Sequence, residues 1–306
     1  MKMPTGVVLN PSPTATNLVD DVVEQARRAF DVGVRQIWLA QRFDYDAISL
    51  AGLVGAAVPG LGVGTFVVPI NPRHPLIVAG LAQTAQAAAH GNFSLGLGLG
   101  AHAPEQQAFG TAWPNPVGRL REHLEILRTI FDTGAVDYHG TEFTAAPEWP
   151  VSLPGGTPIP TYVAAMGPKA LRVTGALADG TLPYLAGPRT IEDFIVPTIA
   201  EAATAAGRPA PKIIAAVPVV VSGDLDAARN LAVDELKFYE TIPSYAKVIA
   251  REGADRAADI AAVGPAEAVR KQLQRYRDAG ATDLVLSQLR SDPADPERLW
   301  EVAASI

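Results

Sequence analysis

Short apolar runs alternate with longer amphipathic segments along this chain. The runs have strand length and end in turn residues such as glycine and proline, whereas the longer segments repeat apolar residues at helical spacing. In segment 117–132, for example, Leu120, Leu124 and Leu127 lie on one face. The pattern predicts eight strands, at 6–9, 37–39, 63–68, 93–99, 160–164, 181–185, 212–221 and 283–287. It predicts helices between Asn17 and Gly33 and at 46–57, 75–89, 117–132, 168–178, 190–206, 224–250, 265–279 and 293–304.

This alternation is typical of an α/β fold in which parallel strands are joined by helical crossovers. Eight strand–helix units favour a closed (β/α)8 TIM barrel with insertions over an open, doubly wound sheet. No linker-like segment divides the chain, so we expect a single domain over residues 1–306. Residues 134–159 and 238–263 exceed a minimal barrel and are predicted insertions, which either shape a pocket or decorate the surface.

Composition excludes several classes of protein. The net charge of −7 argues against general nucleic-acid binding, and the absence of cysteine excludes disulfides and zinc-thiolate sites. The amino terminus lacks a signal-peptide pattern, and the longest apolar stretch, Ile213–Val221, is too short to cross a membrane. We therefore expect a cytoplasmic protein that acts on a small-molecule substrate.

Polar residues that follow the strands mark the expected site, because parallel barrels bind ligands at the carboxyl ends of their strands. His74 and His102 follow the third and fourth strands and are candidates for proton transfer or for hydrogen bonding to a cofactor. Arg42 and Arg189 also follow strands. Convergence of the arginines on one rim favours a phosphate- or carboxylate-bearing ligand, whereas scattered arginines are ordinary surface residues.

Two segments of small residues offer close approach to a ligand. The run Gly96–Ala101 matches a dinucleotide fingerprint only superficially, because the next predicted helix begins near 117. Its glycines either admit a flat ring or allow tight packing. Residues 164–168 follow a strand and open a helix, so their backbone N–H groups either bind an anion or belong to a well-capped helix.

The remaining histidines indicate no further site. His123 and His139 are expected at the surface, and His90 lies at a predicted helix end. No pair of histidines has the spacing of a zinc site, so the sequence predicts no metal centre.

The order of these motifs resembles the bacterial luciferase-like superfamily. The similar segments are VRQIWLAQRFDYDAISLAG, LGVGTFVVPINPRHPLIVAGLAQT and GNFSLGLGLGAHAPEQQAFG. The deazaflavin-dependent branch of the superfamily is similar in PTYVAAMGPKALRVTGALADGTLPYLAGPRTI and VGPAEAVRKQLQRYRDAGATDLVLS. The resemblance covers nearly the whole chain in the correct order.

This resemblance implies a barrel that binds coenzyme F420, a deazaflavin, or alternatively flavin mononucleotide (FMN), at its C-terminal face. It places a nonprolyl cis peptide bond at Phe66–Val67 and the cofactor phosphate at residues 164–168. It also implies a homodimer and allows for a separate cofactor reductase. The residues that it assigns to the cofactor are Gln41, Thr65, Phe66, Val67, Gly100, Ala101, Ala164, Ala165, Met166, Gly167, Pro168 and Arg189.

The chain departs from the resemblance at two positions. Deazaflavin-dependent dehydrogenases have Asp-His where this chain has Gln41-Arg42, and a glutamate where it has Ala101-His102. His102 is therefore the first candidate proton donor, His74 is the second, and Arg42 is a candidate for binding an anionic group. Three functions follow as hypotheses: an F420-dependent oxidoreductase, an FMN-dependent luciferase-like monooxygenase, and a non-catalytic cofactor-binding barrel.

Overall fold

The computed structural model describes residues 3–100, 102–290, 292 and 294–306, with the backbone alone for 102–104. Within this part of the chain, eight parallel strands form a closed barrel in which neighbours follow chain order and the last strand pairs with the first. The strands are β1 Thr5–Val8, β2 Gln36–Leu39, β3 Gly62–Thr65, β4 Phe93–Gly98, β5 Thr161–Ala164, β6 Gly180–Thr181, β7 Lys212–Val221 and β8 Asp283–Gln288. The predicted TIM barrel is confirmed.

Helices surround the barrel and connect its strands. They are α1 Leu18–Val32, α2 Ala47–Ala57, α3 Pro75–Ala88, α4 His102–Phe109, α5 Pro116–Thr133, α6 Pro168–Leu177, α7 Pro188–Thr190, α8 Val196–Ala205, α9 Leu225–Glu240, α10 Pro243–Glu252, α11 Ala266–Asp278 and α12 Glu297–Ser305. A π-helical turn at Ile191–Ile195 joins α7 to α8, and a 3-10 turn covers Ala257–Ile260. None of the helices in the described residues combines the length and apolar character that a bilayer crossing requires.

The two segments predicted as insertions contain short strands of their own. Residues 134–159 include an antiparallel hairpin between Tyr138–His139 and Thr144–Ala145. In the second segment, Ala262–Gly264 pairs in parallel with the carboxyl end of β7. Both segments therefore add ordered structure at the edge of the barrel.

The structure differs from the predicted elements at four places. The single helix predicted over 224–250 is two helices, because Pro243 lacks an N–H and begins α10 instead of continuing α9. Helix α4 was not predicted, although Pro104 is tolerated in a first helical turn. The strand predicted at 181–185 ends at Thr181, with a single further bridge at Tyr184. The last helix begins at Glu297 rather than at residue 293.

A layer of large side chains fills the barrel interior below its C-terminal mouth. Trp38 is fully buried and packs edge-on against Tyr162, with ring centroids 6.3 Å apart. A Cβ atom at Gly64 would lie 2.5 Å from Cε3 of the Trp38 indole, so the glycine makes room for this ring. Phe66, Val67 and Tyr184 pack on top of the layer, so they form the floor of the mouth.

Candidate cofactor and substrate site

A bulge after β3 projects into the mouth of the barrel. The peptide bond between Phe66 and Val67 is cis, as the sequence resemblance implies. Val68 then pairs with Leu97 of β4, so the chain rejoins the sheet directly after the bulge. A Cβ atom at Gly98 would lie 2.7 Å from Cγ2 of Val67. The glycine in β4 therefore leaves the space that the bulge occupies.

Thr65 supports the bulge from below. Its side chain is buried, and its hydroxyl donates to the carbonyl of Gly96 and accepts from the N–H of Gly96, both at 2.8 Å. These bonds tie the end of β3 to β4. Thr65 does not line the mouth cavity, so the structure gives it a supporting position beneath the proposed cofactor site.

The mouth contains a cavity of about 180 Å³. The ends of six barrel strands meet there, including the cis bulge and the end of β5 at Ala164. Its aromatic and charged lining residues are Phe66, Tyr184, Glu235, Tyr239, Tyr245 and Arg290. Small residues, among them Ala40 and Ala164, leave the strand ends accessible, so a planar group can approach the bulge.

The start of α6 lies beside this cavity. Ala164 lines the cavity, Ala165 is buried, and Gly167 is the N-cap of a helix whose N-terminus no side chain caps. A Cβ atom at Gly167 would meet nothing within 4 Å. Because the first-turn N–H groups have no side-chain acceptor and the approach is open, this segment fits a cofactor phosphate.

A wider groove of about 920 Å³ borders the mouth on the side of β2 and α4. Gln41 lines this groove and organises its loop, because its amide oxygen accepts from Ala47 N at 3.0 Å and from Arg73 Nη2 at 3.1 Å. Arg42 also lines the groove and pairs with Asp44 at 2.9 Å. Both residues thus lie next to the mouth, but outside its inner cavity.

His74 occupies a structural position. Its Nδ1 accepts from the N–H of Leu76 at 3.2 Å and caps α3, while its Nε2 lies 3.0 Å from the carbonyl of Thr144. Both ring nitrogens therefore have protein partners, and the ring lines neither the mouth cavity nor the neighbouring groove. The arrangement joins α3 to the hairpin.

The other predicted residues of the β4 loop are only partly described. Ala101 lies outside the described residues, and His102 begins α4 with a side chain that also lies outside them. Gly100 has a φ of +81°, and a Cβ atom there would lie 1.8 Å from Oε1 of Glu105. A side chain at position 100 would thus collide with the buried Glu105.

Arg189 lies at the edge of the site rather than in it. It belongs to α7, its Nε lies 3.5 Å from Asp193, and its backbone N–H donates to Glu252 at 3.2 Å. It lines neither the mouth cavity nor the groove beside it.

Three tyrosines of the mouth were missed as site residues. Tyr184 follows β6, Tyr239 lies on α9 and Tyr245 on α10. Burial raises the pKa of all three hydroxyls, so they remain protonated donors at neutral pH. Tyr184 lies near the end of the predicted strand 181–185, a position that could have identified it. Tyr239 and Tyr245 belong to the predicted insertion at 238–263, for which a role in shaping a pocket was one of the two expectations.

The expectation that His123 lies at the surface was wrong. The ring is fully buried on α5 and packs edge-on against Phe143 of the hairpin segment, with centroids 5.7 Å apart. Burial lowers its pKa to about 3, with smaller contributions from Arg119 and His74. Within the described part of the chain, neither ring nitrogen has a hydrogen-bond partner. His123 lies on the same apolar helix face as Leu120 and Leu127, and this position could have predicted its burial.

Comparisons with known proteins agree with this geometry. The luciferase-like monooxygenase family profile matches residues 3–283. An F420-dependent glucose-6-phosphate dehydrogenase from Amycolatopsis mediterranei is 26% identical over 294 residues, covering 87% of each chain. The solved structure of an F420-dependent secondary alcohol dehydrogenase with an F420–acetone adduct shares the fold, with a TM-score of 0.83 and 20% identity over 100% of this chain and 98% of that one.

A flavin enzyme also shares the fold. The oxygenating constituent of 3,6-diketocamphane monooxygenase from Pseudomonas putida, in complex with FMN, superimposes with a TM-score of 0.75 and 17% identity, covering 99% of this chain and 96% of that one. Because the family profile spans most of the sequence and the barrel has the cis bulge in the expected place, the chain belongs to the luciferase-like monooxygenase family.

Proposed function

We propose that this protein is an F420-dependent oxidoreductase that transfers a hydride between the deazaflavin and a small organic substrate. The observation that carries the proposal is the likeness over 294 residues to an F420-dependent dehydrogenase, in a chain whose cis bulge and open α6 terminus face one mouth. When bound, F420 supplies the hydride chemistry of its ring, and the protein supplies position and proton transfer.

Different residues of this chain bind different parts of the cofactor. Phe66 and Val67 present the surface against which the ring packs, and the N–H groups that begin α6 behind Gly167 and Pro168 hold the phosphate. Gln41 and Arg42 border the ring from the β2 loop. His102 remains the proposed proton donor on its position alone, as the first residue of α4.

Side-by-side titration with F420 and FMN tests the proposal. Fluorescence changes of each cofactor give the two dissociation constants, and we expect F420 to bind at least tenfold more tightly. Reduced F420 should then be oxidised only when a substrate is added. Tighter binding of FMN, with oxygen uptake in the presence of reduced FMN, would contradict the proposal and favour the alternative function, an FMN-dependent luciferase-like monooxygenase. Tight cofactor binding without turnover of any substrate would instead favour the non-catalytic barrel.

The surface of α2 and α3 supports a homodimer. Neither helix contains a charged residue, and the two pack against each other. Leu53 is 52% exposed and Ile77 is 61% exposed. An exposed helix face that has large apolar residues and no charge is commonly covered by another surface, so a second copy of this chain on this face is part of the proposal. The proposal also includes a cytoplasmic location and a separate cofactor reductase.

A further inference from the structure

The four aromatic rings of the mouth form one continuous wall. Tyr184 is at its centre, and the rings of Phe66, Tyr239 and Tyr245 pack edge-on against it with centroids 6.0, 5.3 and 6.3 Å away. The wall therefore runs from the cis bulge after β3 to α9 and α10. Clusters of this kind favour a flat, conjugated ligand, because an aromatic ring can stack on the exposed face of one ring and pack against the edge of the next.

A guanidinium group lies at the open end of this wall. Arg290 follows β8 and lines the mouth cavity together with two neighbouring grooves. Among the described residues, no ion pair involves its side chain; only its backbone N–H is engaged, donating to Glu235 at 2.7 Å. An exposed guanidinium at the edge of an aromatic cavity is suited to bidentate binding of a carboxylate.

The arginines outweigh the carboxylates at two tyrosine hydroxyls near Arg290. At Tyr184, by contrast, burial raises the pKa most, and the acting charged group, Glu235, raises it further. Burial raises the pKa of Tyr239, but among the charged groups the lowering effect of Arg290 is larger than the raising effect of Glu235. At Tyr45, on the outer side, burial again raises the pKa, and Arg42 lowers it more than Asp44 raises it, with Arg290 adding to the lowering. At both hydroxyls the contribution of the arginines to the pKa is therefore larger than that of the carboxylates.

We propose that the part of the mouth cavity between Tyr239 and Arg290 is the substrate site and that it takes a compact, planar, conjugated molecule bearing a carboxylate. The substrate ring lies against Tyr184 and Tyr239 and its carboxylate on Arg290, and the bulge at Phe66–Val67 is left to the cofactor ring. This assignment rests on the proposed function, because it places the substrate of that reaction beside the cis bulge. Arg42 lies on the same rim, where its guanidinium is paired with Asp44.

Binding of simple probes tests the assignment without knowledge of the natural substrate. Calorimetric titration compares benzoate with benzamide, which has the same shape without the charge, and with inorganic phosphate, which has charge without a ring. We expect benzoate to bind about tenfold more tightly than either probe, the difference expected for a charge-assisted hydrogen bond. Arg290→Gln should abolish the preference for benzoate over benzamide, and Tyr239→Leu should weaken the binding of both.

Arg277→Gln is the matched control, because Arg277 is an arginine of α11 that lines neither the cavity nor its grooves. It should bind benzoate as the wild type does. Equal affinity for benzoate and benzamide, or an unchanged preference in Arg290→Gln, would overturn the assignment. Tighter binding of phosphate than of benzoate would overturn the role of the aromatic wall.

A second titration, with saturating F420, separates this assignment from the proposed function. We expect benzoate to bind with F420 present, because the two occupy adjacent sites. Loss of benzoate binding under these conditions would place the cofactor itself in the cavity and overturn the assignment. If F420 does not bind at all, the proposed function fails, and with it the role of the cavity as the substrate site of that reaction.

Discussion

The hydroxyl of Thr65 and the backbone of Gly96 exchange two hydrogen bonds of 2.8 Å across the barrel wall. Both groups are buried, so neither can exchange these bonds for bonds with water. The bonds lie directly below the cis bulge and connect it to β4. The shape of the mouth therefore depends on a side chain that never faces the ligand.

Substitution of Thr65 by valine removes these bonds while keeping the side-chain shape. Because it leaves a buried N–H and carbonyl without partners, we expect Thr65→Val to lose about 2 kcal/mol of unfolding free energy. Urea denaturation measures the loss. Thr65→Ser keeps the hydroxyl, removes only a methyl group and should lose about 1 kcal/mol. Equal losses in both variants would show that packing, rather than hydrogen bonding, stabilises this position.

Gly167 allows a test of the phosphate site, because a side chain there enters open space. Aspartate and asparagine both cap helices, but only aspartate repels an anion. We expect Gly167→Asp to weaken F420 binding about tenfold relative to Gly167→Asn, with similar thermal stability for the two variants. Fluorescence titration of F420 measures the affinities. Equal F420 affinity in the two variants would show that the cofactor phosphate does not bind at this helix terminus.

His123 predicts a pH dependence of stability. Its folded pKa, about 3, lies below the ordinary value of 6.5. Between these values the unfolded chain binds a proton that the folded protein excludes, so the stability due to the neutral ring is complete above pH 6.5 and is lost as pH falls toward 3. Each pH unit within this window costs at most about 1.4 kcal/mol.

Urea unfolding of wild type and His123→Leu at pH 7.5 and pH 5 isolates this effect. The variant should lose less stability than the wild type when the pH falls, because it has no ring to protonate. His139→Leu is the control, since His139 is exposed and should leave the wild-type dependence unchanged. Identical pH dependence in wild type and His123→Leu would contradict the burial argument.

The uncharged face of α2 and α3 predicts the oligomeric state. Introducing Lys at both Leu53 and Ile77 should convert a dimer into a monomer, because burying two charges without partners is strongly unfavourable. Light scattering after size-exclusion chromatography measures the mass. Phe238→Lys, on exposed α9, should remain dimeric. A monomeric wild type, or a double variant that stays dimeric, would rule out this interface.

Part of the site was predictable from the sequence. The resemblance to the luciferase-like superfamily implied the cis bond at Phe66–Val67, and the small residues that begin α6 directly follow a predicted strand. The roles of single polar side chains were less predictable. His74 follows a strand as a catalytic residue would, but its ring caps α3 and contacts the hairpin. Whether a ring faces a cavity or a neighbouring backbone depends on segments distant in sequence.

The periodicity of apolar residues predicted the eight strand–helix units and favoured a closed barrel over an open sheet, because buried parallel strands and amphipathic helices have different repeats that can be read locally. The composition of the mouth required the folded chain. Phe66, Tyr184, Tyr239 and Arg290 come from four separate parts of the sequence and form one cavity only where β3, β6, α9 and the end of β8 converge. Proximity of this kind arises from closure of the sheet, and no local pattern records it.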